Sequence, residues 1–276
     1  MRKIVALFAF MANFGVAIPC TLQHSWTLHQ ILDHFQYYKL IHSHFHTGNL
    51  LEHSLWTCRS LAQWFDEDKF WVENLNPVRD LVILGGLLHD VGKAGDHMFF
   101  YKHKEPHPTV GLNYIHNKQS FTLLNGTKLH FNNLYKELTL SQEDQQMLAI
   151  FIAMHLEFGN ISKRLQKEGA IALNGACNTY LAKLRQCCKD VGFNAGNPTL
   201  QLLQAAIAVS AADVRAVQPN TYVNSILMSL FGPRIAYGYR TPRHKGINAY
   251  KRFDLEGQGH MIRNHLCEML VQSIES

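Results

Sequence analysis

Along most of this chain apolar residues return at intervals of three and four, the period of helices that bury one face, and no long run alternates as a strand would. A first helix is predicted over Leu28–Ile41. A second, over Leu50–Phe65, carries Leu51, Leu55, Cys58, Ala62 and Phe65 on one face. A third runs from about Pro77 to Val91 and stops at Gly92, a residue type that readily turns left-handed at a helix end. Pro108 suits a helix first turn, which sets another helix over Pro108–Asn117. The stretch FTLLNGTKLHF breaks the pattern, and a small hairpin around Asn125-Gly126 is one reading of it. Helical spacing resumes in SQEDQQMLAIFIAMHLEFG, opened by Ser141 and closed by Gly159. It returns in NPTLQLLQAAIAVSAADVRAVQP, which opens at Asn197-Pro198 or Thr199 and closes before Pro219, with alanines that let neighbouring helices approach. The fold class expected is all-α.

Length and composition refine this. The 276 residues have no internal repeat, low-complexity tract or Pro/Ser-rich linker, so a single domain over 21–276 is expected, with a core at about 48–220 and a basic extension over 221–276. Residues 1–20, MRKIVALFAFMANFGVAIPC, have a basic start, an uncharged apolar run and small residues near the end. That is the layout of a secretory signal peptide, with a buried first helix in a cytoplasmic protein as the alternative. The run is too short for a comfortable membrane span, and no integral span is expected in the mature chain. The six cysteines include no CxxC pair and resemble neither a zinc knuckle nor a disulfide framework.

The formal charge of +5 is modest but concentrated late, at Arg234, Arg240, Arg243, Lys245, Lys251 and Arg252. Such a cluster suits an anionic small ligand better than general coating of nucleic acid. Histidine is the compositional outlier, with 17 copies against 21 acidic residues, an enrichment that permits metal chemistry without requiring it.

The chemistry lies where polar residues interrupt apolar helix faces: His53 in LLEHSLW, His89 and Asp90 in GGLLHDVGKAGD, His107 in EPHPTVG, His155 in IAMHLEFG and Asp213 in SAADVRA. A lone core histidine is usually satisfied by a backbone carbonyl, and Asp213 alone could pair with Arg215. Together, four imidazoles and two carboxylates form a nitrogen and oxygen donor set for one or two divalent transition metal ions: iron, manganese, cobalt, nickel or zinc. His89 and Asp90, as neighbours, point about 100° apart on a helix, so both reach one ion only at the helix end. The carbonyl end of a helix also favours a cation.

The order of H in LLEHSLW, HD in LLHDVGK and D in SAADVRA resembles the HD-domain superfamily of metal-dependent phosphohydrolases. The last quarter of the chain carries no part of the resemblance. It implies an all-α bundle in which the positions of His53, His89, Asp90 and Asp213 hold a first metal. HPTVG is similar to the HPxxG segment of the HD-GYP phosphodiesterases, and MHLE falls where that group has HHE. His107 and His155 thereby become candidate ligands of a second ion, with Asp90 as the bridge. Met154 in place of the first His of HHE, Asn49 where some members have a glutamate, and the lack of a GYP signature depart from that group. The implied enzyme is a phosphohydrolase or phosphodiesterase acting on a small phosphoester such as a nucleotide. Two ions bridged by one carboxylate can acidify a water while polarising phosphoryl oxygens.

Asp90 and Lys93 are the candidate catalytic residues, Lys93 as a cation for phosphate or the leaving oxygen. Lys93, Arg215, Arg240, Arg243 and Lys245 are the candidate substrate contacts, since anionic phosphate needs cationic partners. Asp96 is a candidate support for a ligand imidazole. His42, His44 and His46 either line the site or form a polar cap, and His244 and His260 are weaker candidates. The same ligand order also resembles the di-iron oxygenases of the superfamily, such as myo-inositol oxygenase. A non-catalytic protein stapled by metal is the reading outside enzymology.

Overall fold

The computed structural model describes residues 26–36, 50–94, 106–117, 120–123, 125–217 and 254–275. The expectations for residues 1–20, for His42, His44, His46, Asn49, Asp96 and His244, and for Arg240, Arg243 and Lys245 fall outside them.

The described residues are overwhelmingly helical, as expected: α1 Trp26–Phe35, α2 Leu50–Asp66, α3 Arg79–Leu88, α4 His107–His116, α5 Phe131–Glu137, α6 Gln142–Met154, α7 Glu157–Glu168, α8 Leu173–Val191, α9 Leu200–Val217 and α10 His260–Glu275. Among them strand pairing is confined to a hairpin, β1 Ser120–Thr122 antiparallel to β2 Lys128–His130. Its turn sits at Asn125-Gly126, where Gly126 takes φ 81° and Asn125 accepts the Thr127 N–H. No helix among the described residues is long and apolar enough to cross a membrane.

Helix α9 is the axis of the bundle. Residues from Leu202 to Val214 are buried almost without interruption, and a helix that is apolar on all sides must be surrounded. Helices α2, α3, α6, α7 and α10 pack around it. Its start is fixed by Thr199, whose hydroxyl accepts the Leu202 N–H at 3.1 Å. Helix α6 starts on a full capping box, in which Ser141 and Asp144 satisfy each other's backbone N–H groups. Trp64 and Trp71 stack at 5.6 Å beneath Phe158, closing the core at the far end of α2.

The pair Gly85-Gly86 explains how α3 enters so crowded a bundle. A Cβ on Gly85 would lie 2.7 Å from the Phe151 ring of α6, and one on Gly86 2.6 Å from Leu61 of α2. Two adjacent side-chain-free positions, about 100° apart around the helix, let α3 wedge between its neighbours and deliver its carboxyl end to the centre.

Four expectations are corrected. Helix α1 begins at Trp26, two residues before the expected Leu28, and closes at Phe35 with Gln36 in a turn, while residues 37–41 of the expected Leu28–Ile41 helix lie outside the described ones. The third helix is a short 3-10 turn over Asn76–Val78, then α3, which ends at Leu88, and a further 3-10 turn over Val91–Lys93. Gly92 therefore does not cap a helix in the left-handed region. It is a glycine because a Cβ there would run into the His107 carbonyl oxygen and come within 2.7 Å of the Gly111 amide nitrogen. Gly159, the expected stop after Ser141, lies buried inside α7, because the real break comes earlier, at His155-Leu156.

Candidate metal centre

Two helix ends build the site in the same way. Helix α3 ends at Leu88 and His89 is its C-cap, and helix α6 ends at Met154 with His155 as its C-cap. In each case the ring turns back so that Nδ1 lies 2.7 Å from the carbonyl oxygen three residues earlier, Gly86 for His89 and Ile152 for His155. A carbonyl only accepts, so Nδ1 carries a hydrogen and it is Nε2 that faces the interior. Both helix carbonyl ends, with their partial negative charge, point into the same region. Ser210 of α9 donates to the Met154 carbonyl at 3.4 Å and helps fix the second of these ends.

The other groups arrive from separate elements. His53 comes from α2, Asp213 from α9, His107 from the first position of α4, and Asp90 from the turn between α3 and Val91–Lys93. They form two triads, His53, His89 and Asp213, and Asp90, His107 and His155, each with donor atoms within 4.8 Å of one another. In the first, His53 and His89 approach Nε2 to Nε2 at 3.2 Å, and Asp213 Oδ1 is 2.9 Å from His53 and 3.5 Å from His89. In the second, His107 and His155 approach at 3.1 Å.

Asp90 joins the triads. Its Oδ1 lies 3.1 Å from His107 and 3.5 Å from His155, while its Oδ2 lies 3.4 Å from His89 and 3.7 Å from His53. The Lys93 ammonium reaches Oδ2 at 2.6 Å. One carboxylate thus offers a different oxygen to each histidine pair, which is the arrangement of a bridging ligand.

The electrostatics ask for positive charge. Burial works against ionised carboxylates, yet Lys93 and His89 hold Asp90 well below the usual carboxylate range, with the His107 and His155 rings beside it acting in the same direction. Burial also opposes the charge on Asp213, and His89 and His53 overcome it to keep the carboxyl low. Burial alone would depress His89, but the two carboxylates override it and raise that imidazole to about 10. Burial lowers His53 despite Asp213, and burial with the nearby Lys93 lowers His107 to about 4, so both stay neutral and keep lone pairs to give.

These residues fit a metal. Two nitrogens about 2.0–2.1 Å from one ion, at an angle of roughly 100°, are about 3.1–3.2 Å apart, which is the spacing of both histidine pairs. The donors are nitrogen and oxygen only, with no thiolate, as suits a first-row transition metal. Five of the six side chains are at most 7 % exposed, but His107 is 22 % exposed, so solvent and ligands reach the centre from the α4 side.

Arg215, two residues past Asp213, is not brought to the centre. Its guanidinium donates to Gln63 at 3.1 Å and lies over the Trp64 ring. Those anchors sit about 15 Å along α2 from His53, ten residues at 1.5 Å each. His260 packs against Phe70 and Trp71, also apart from the triads. Met154 is buried with its sulfur 3.9 Å from the Cys187 thiol and takes no part in either triad. Two groups escaped the sequence pattern. Partial desolvation lowers Lys163 of α7, against the pull of Asp213 and Glu157, which sets a second cation in the field of the centre. His34 of α1 holds the chain just beyond Lys93, with its Nε2 3.1 Å from the Ala94 carbonyl. Its only trace in the sequence is one more histidine on a buried helix face.

Compared with known families, the chain matches the family model described as HD domain over residues 50–216. No curated protein and no solved structure matches it.

Proposed function

The chain belongs to the HD domain family, and from that premise we propose that it is a metal-dependent phosphohydrolase. Its substrate in this reading is a phosphomonoester or phosphodiester of a nucleotide or a similar small molecule. One observation carries the reading: Asp90 turns one oxygen to His107 and His155 and the other to His89 and His53. A carboxylate so divided serves two ions rather than one.

In this reading His53, His89 and Asp213 would hold one ion, His107 and His155 would hold the other, and Asp90 would serve both. When bound, divalent iron, manganese, cobalt, nickel or zinc would supply Lewis acidity and an acidified water for attack on phosphorus. The chain does the remaining work. The Nδ1 hydrogen bonds of His89 and His155 lock their tautomers and aim Nε2 inward, which spares the centre the cost of ordering them on loading. Lys93 neutralises Asp90 and stands at the centre's edge, where it can take up a phosphoryl or leaving oxygen as negative charge develops. Lys163 adds positive potential near Asp213 and favours an anionic substrate.

The test pairs elemental analysis of purified protein with turnover of bis-p-nitrophenyl phosphate and a nucleotide panel, using Asp90→Ala as control. About two transition-metal ions per chain are expected, with release of p-nitrophenol or a nucleoside phosphate and loss of both signals in the variant. Bound metal with no turnover across the panel, or oxygen consumption with a mixed-valence iron resonance, would overturn the reading.

A further inference from the structure

The turn that carries Lys93 is clamped from outside the matched family region. Val91, Gly92, Lys93 and Ala94 are all buried, and the turn is closed by Lys93 N–H to Asp90 O at 2.8 Å and Ala94 N–H to Val91 O at 3.0 Å. Gly92 presses it against α4. Those contacts hold its first three residues. The last carbonyl, on fully buried Ala94, faces His34 of α1, whose Nε2 lies 3.1 Å away. Because a carbonyl only accepts, Nε2 bears the hydrogen and His34 is the donor. Helix α1 is itself anchored, with Leu28, Ile31, Leu32 and Phe35 buried on one side and the Leu28 N–H bound to Glu137 of α5. His34 is thus a rigidly based donor, and α1 lies before residue 50, where the family match begins.

We infer that His34 is a positioning residue for Lys93: its hydrogen bond to the Ala94 carbonyl fixes the end of the 91–94 turn and keeps the ammonium on Asp90 Oδ2. The inference rests on the proposed function for the meaning of Lys93, but the contact is testable without it. Three residues separate Asp90 from Ala94, and the last of them, Lys93, stands next to the clamped carbonyl. Releasing that carbonyl frees the Lys93 backbone on its carboxyl side while leaving the His and Asp donors on their own elements.

The experiment compares wild type, His34→Leu and His34→Gln as full-length, metal-loaded protein. Leucine fills the space without a donor, and the glutamine carboxamide restores one. Hydrogen exchange read by mass spectrometry over the peptide containing residues 91–94 should quicken about tenfold in His34→Leu, the usual consequence of leaving one buried acceptor unsatisfied, with the 79–88 peptide unchanged. Metal content should stay at the wild-type level. On bis-p-nitrophenyl phosphate, kcat should fall about tenfold with KM little changed, and His34→Gln should recover both exchange and kcat.

Unchanged exchange at 91–94 in His34→Leu, or a His34→Gln protein as impaired as His34→Leu, overturns the inference. If His34→Leu does not fold, His34→Gln decides alone: wild-type exchange at 91–94 supports the hydrogen bond and faster exchange refutes it. If the wild-type protein turns over no phosphoester, the proposed function fails while the exchange result still decides the role of His34.

Discussion

Replacing Gly92 by alanine tests whether the centre depends on the close approach of α4 to the Asp90 turn. The added Cβ would meet backbone atoms, the His107 carbonyl oxygen and the Gly111 nitrogen, neither of which can rotate away. The Gly111 nitrogen alone would stand 2.7 Å off where ordinary contact begins at 3.4 Å, so α4 must retreat by at least about 0.7 Å, an overpacking that typically costs about 1–3 kcal/mol. His107 rides on the first residue of α4, and its Nε2 is 3.1 Å from both Asp90 and His155. Metal ligands tolerate displacements of only about 0.2 Å, so this triad should lose its ion. His53, His89 and Asp213 sit on α2, on the end of α3 and on α9, whereas the atoms nearest the added Cβ all belong to α4, so they should keep theirs. Elemental analysis should therefore fall from about two ions per chain to about one, with the melting temperature lowered by about 2–10 °C. A Gly92→Ala protein that keeps full metal content and melts as wild type would refute this account of the packing.

Four further outcomes follow from the geometry. Ser141→Ala breaks the capping box of α6 and should cost about 1 kcal/mol, read as a melting shift of about 2–4 °C with metal content unchanged. Chelation should destabilise the protein by about 4 kcal/mol for each ion lost, relative to protein held at free metal about 1,000-fold above Kd, measured by paired denaturant titrations. In chelated protein His89, raised to about 10 by Asp90 and Asp213 against burial, contributes stability that is full below its ordinary pKa of about 6.5 and lost as pH rises through about 10. Melts of chelated protein should fall over that window, and a flat or rising profile would contradict the assignment. Burial pushes the thiols of Cys177 and Cys188 up to about 12 and that of Cys187 to about 11, so a thiol reagent at about pH 8 should label these positions slowly until the protein is denatured.

Periodicity reads well where a helix keeps one buried side from end to end. The stripe Leu51, Leu55, Cys58, Ala62 and Phe65 marked the ends of α2 to within a residue, although Leu51, Leu55 and Ala62 are only half-buried and Leu50 and Leu61 are the covered leucines, and the Asn125-Gly126 dipeptide located the hairpin. It fails where a chain breaks without changing its pattern. Between α6 and α7 the buried positions run Phe151, Met154, Phe158, Ile161, steps of three and four that pass straight through the break at His155-Leu156. Hydrophobic spacing reports which side of a helix is covered, and both helices cover the same core. Nothing in that spacing shows that the hydrogen-bond ladder has stopped, and Gly159, the conspicuous helix-stopping residue nearby, misplaced the end. Arg215 fails for a related reason. Two residues past Asp213 is about 200° around a helix, which sends the guanidinium to Gln63 and Trp64 instead of toward the histidines.

The six polar interruptions were legible because they break apolar runs, four of them singly and His89 and Asp90 as a pair, and burial without a partner is costly enough that six such residues invite one explanation. Spacing alone does not supply the division of Asp90 between two histidine pairs, which only the family resemblance implied, because it depends on where two helices end. The break after Met154 that periodicity missed is the counterpart of the break after Leu88, and each places a histidine at a carbonyl terminus with Nδ1 held and Nε2 turned inward. Had α6 run on to Gly159, His155 would have stayed in the helix body and its Nδ1 would have had to compete for a carbonyl already engaged in the ladder. The misread helix end is therefore part of the centre itself: ending the ladder there frees the geometry that lets His155 face Asp90.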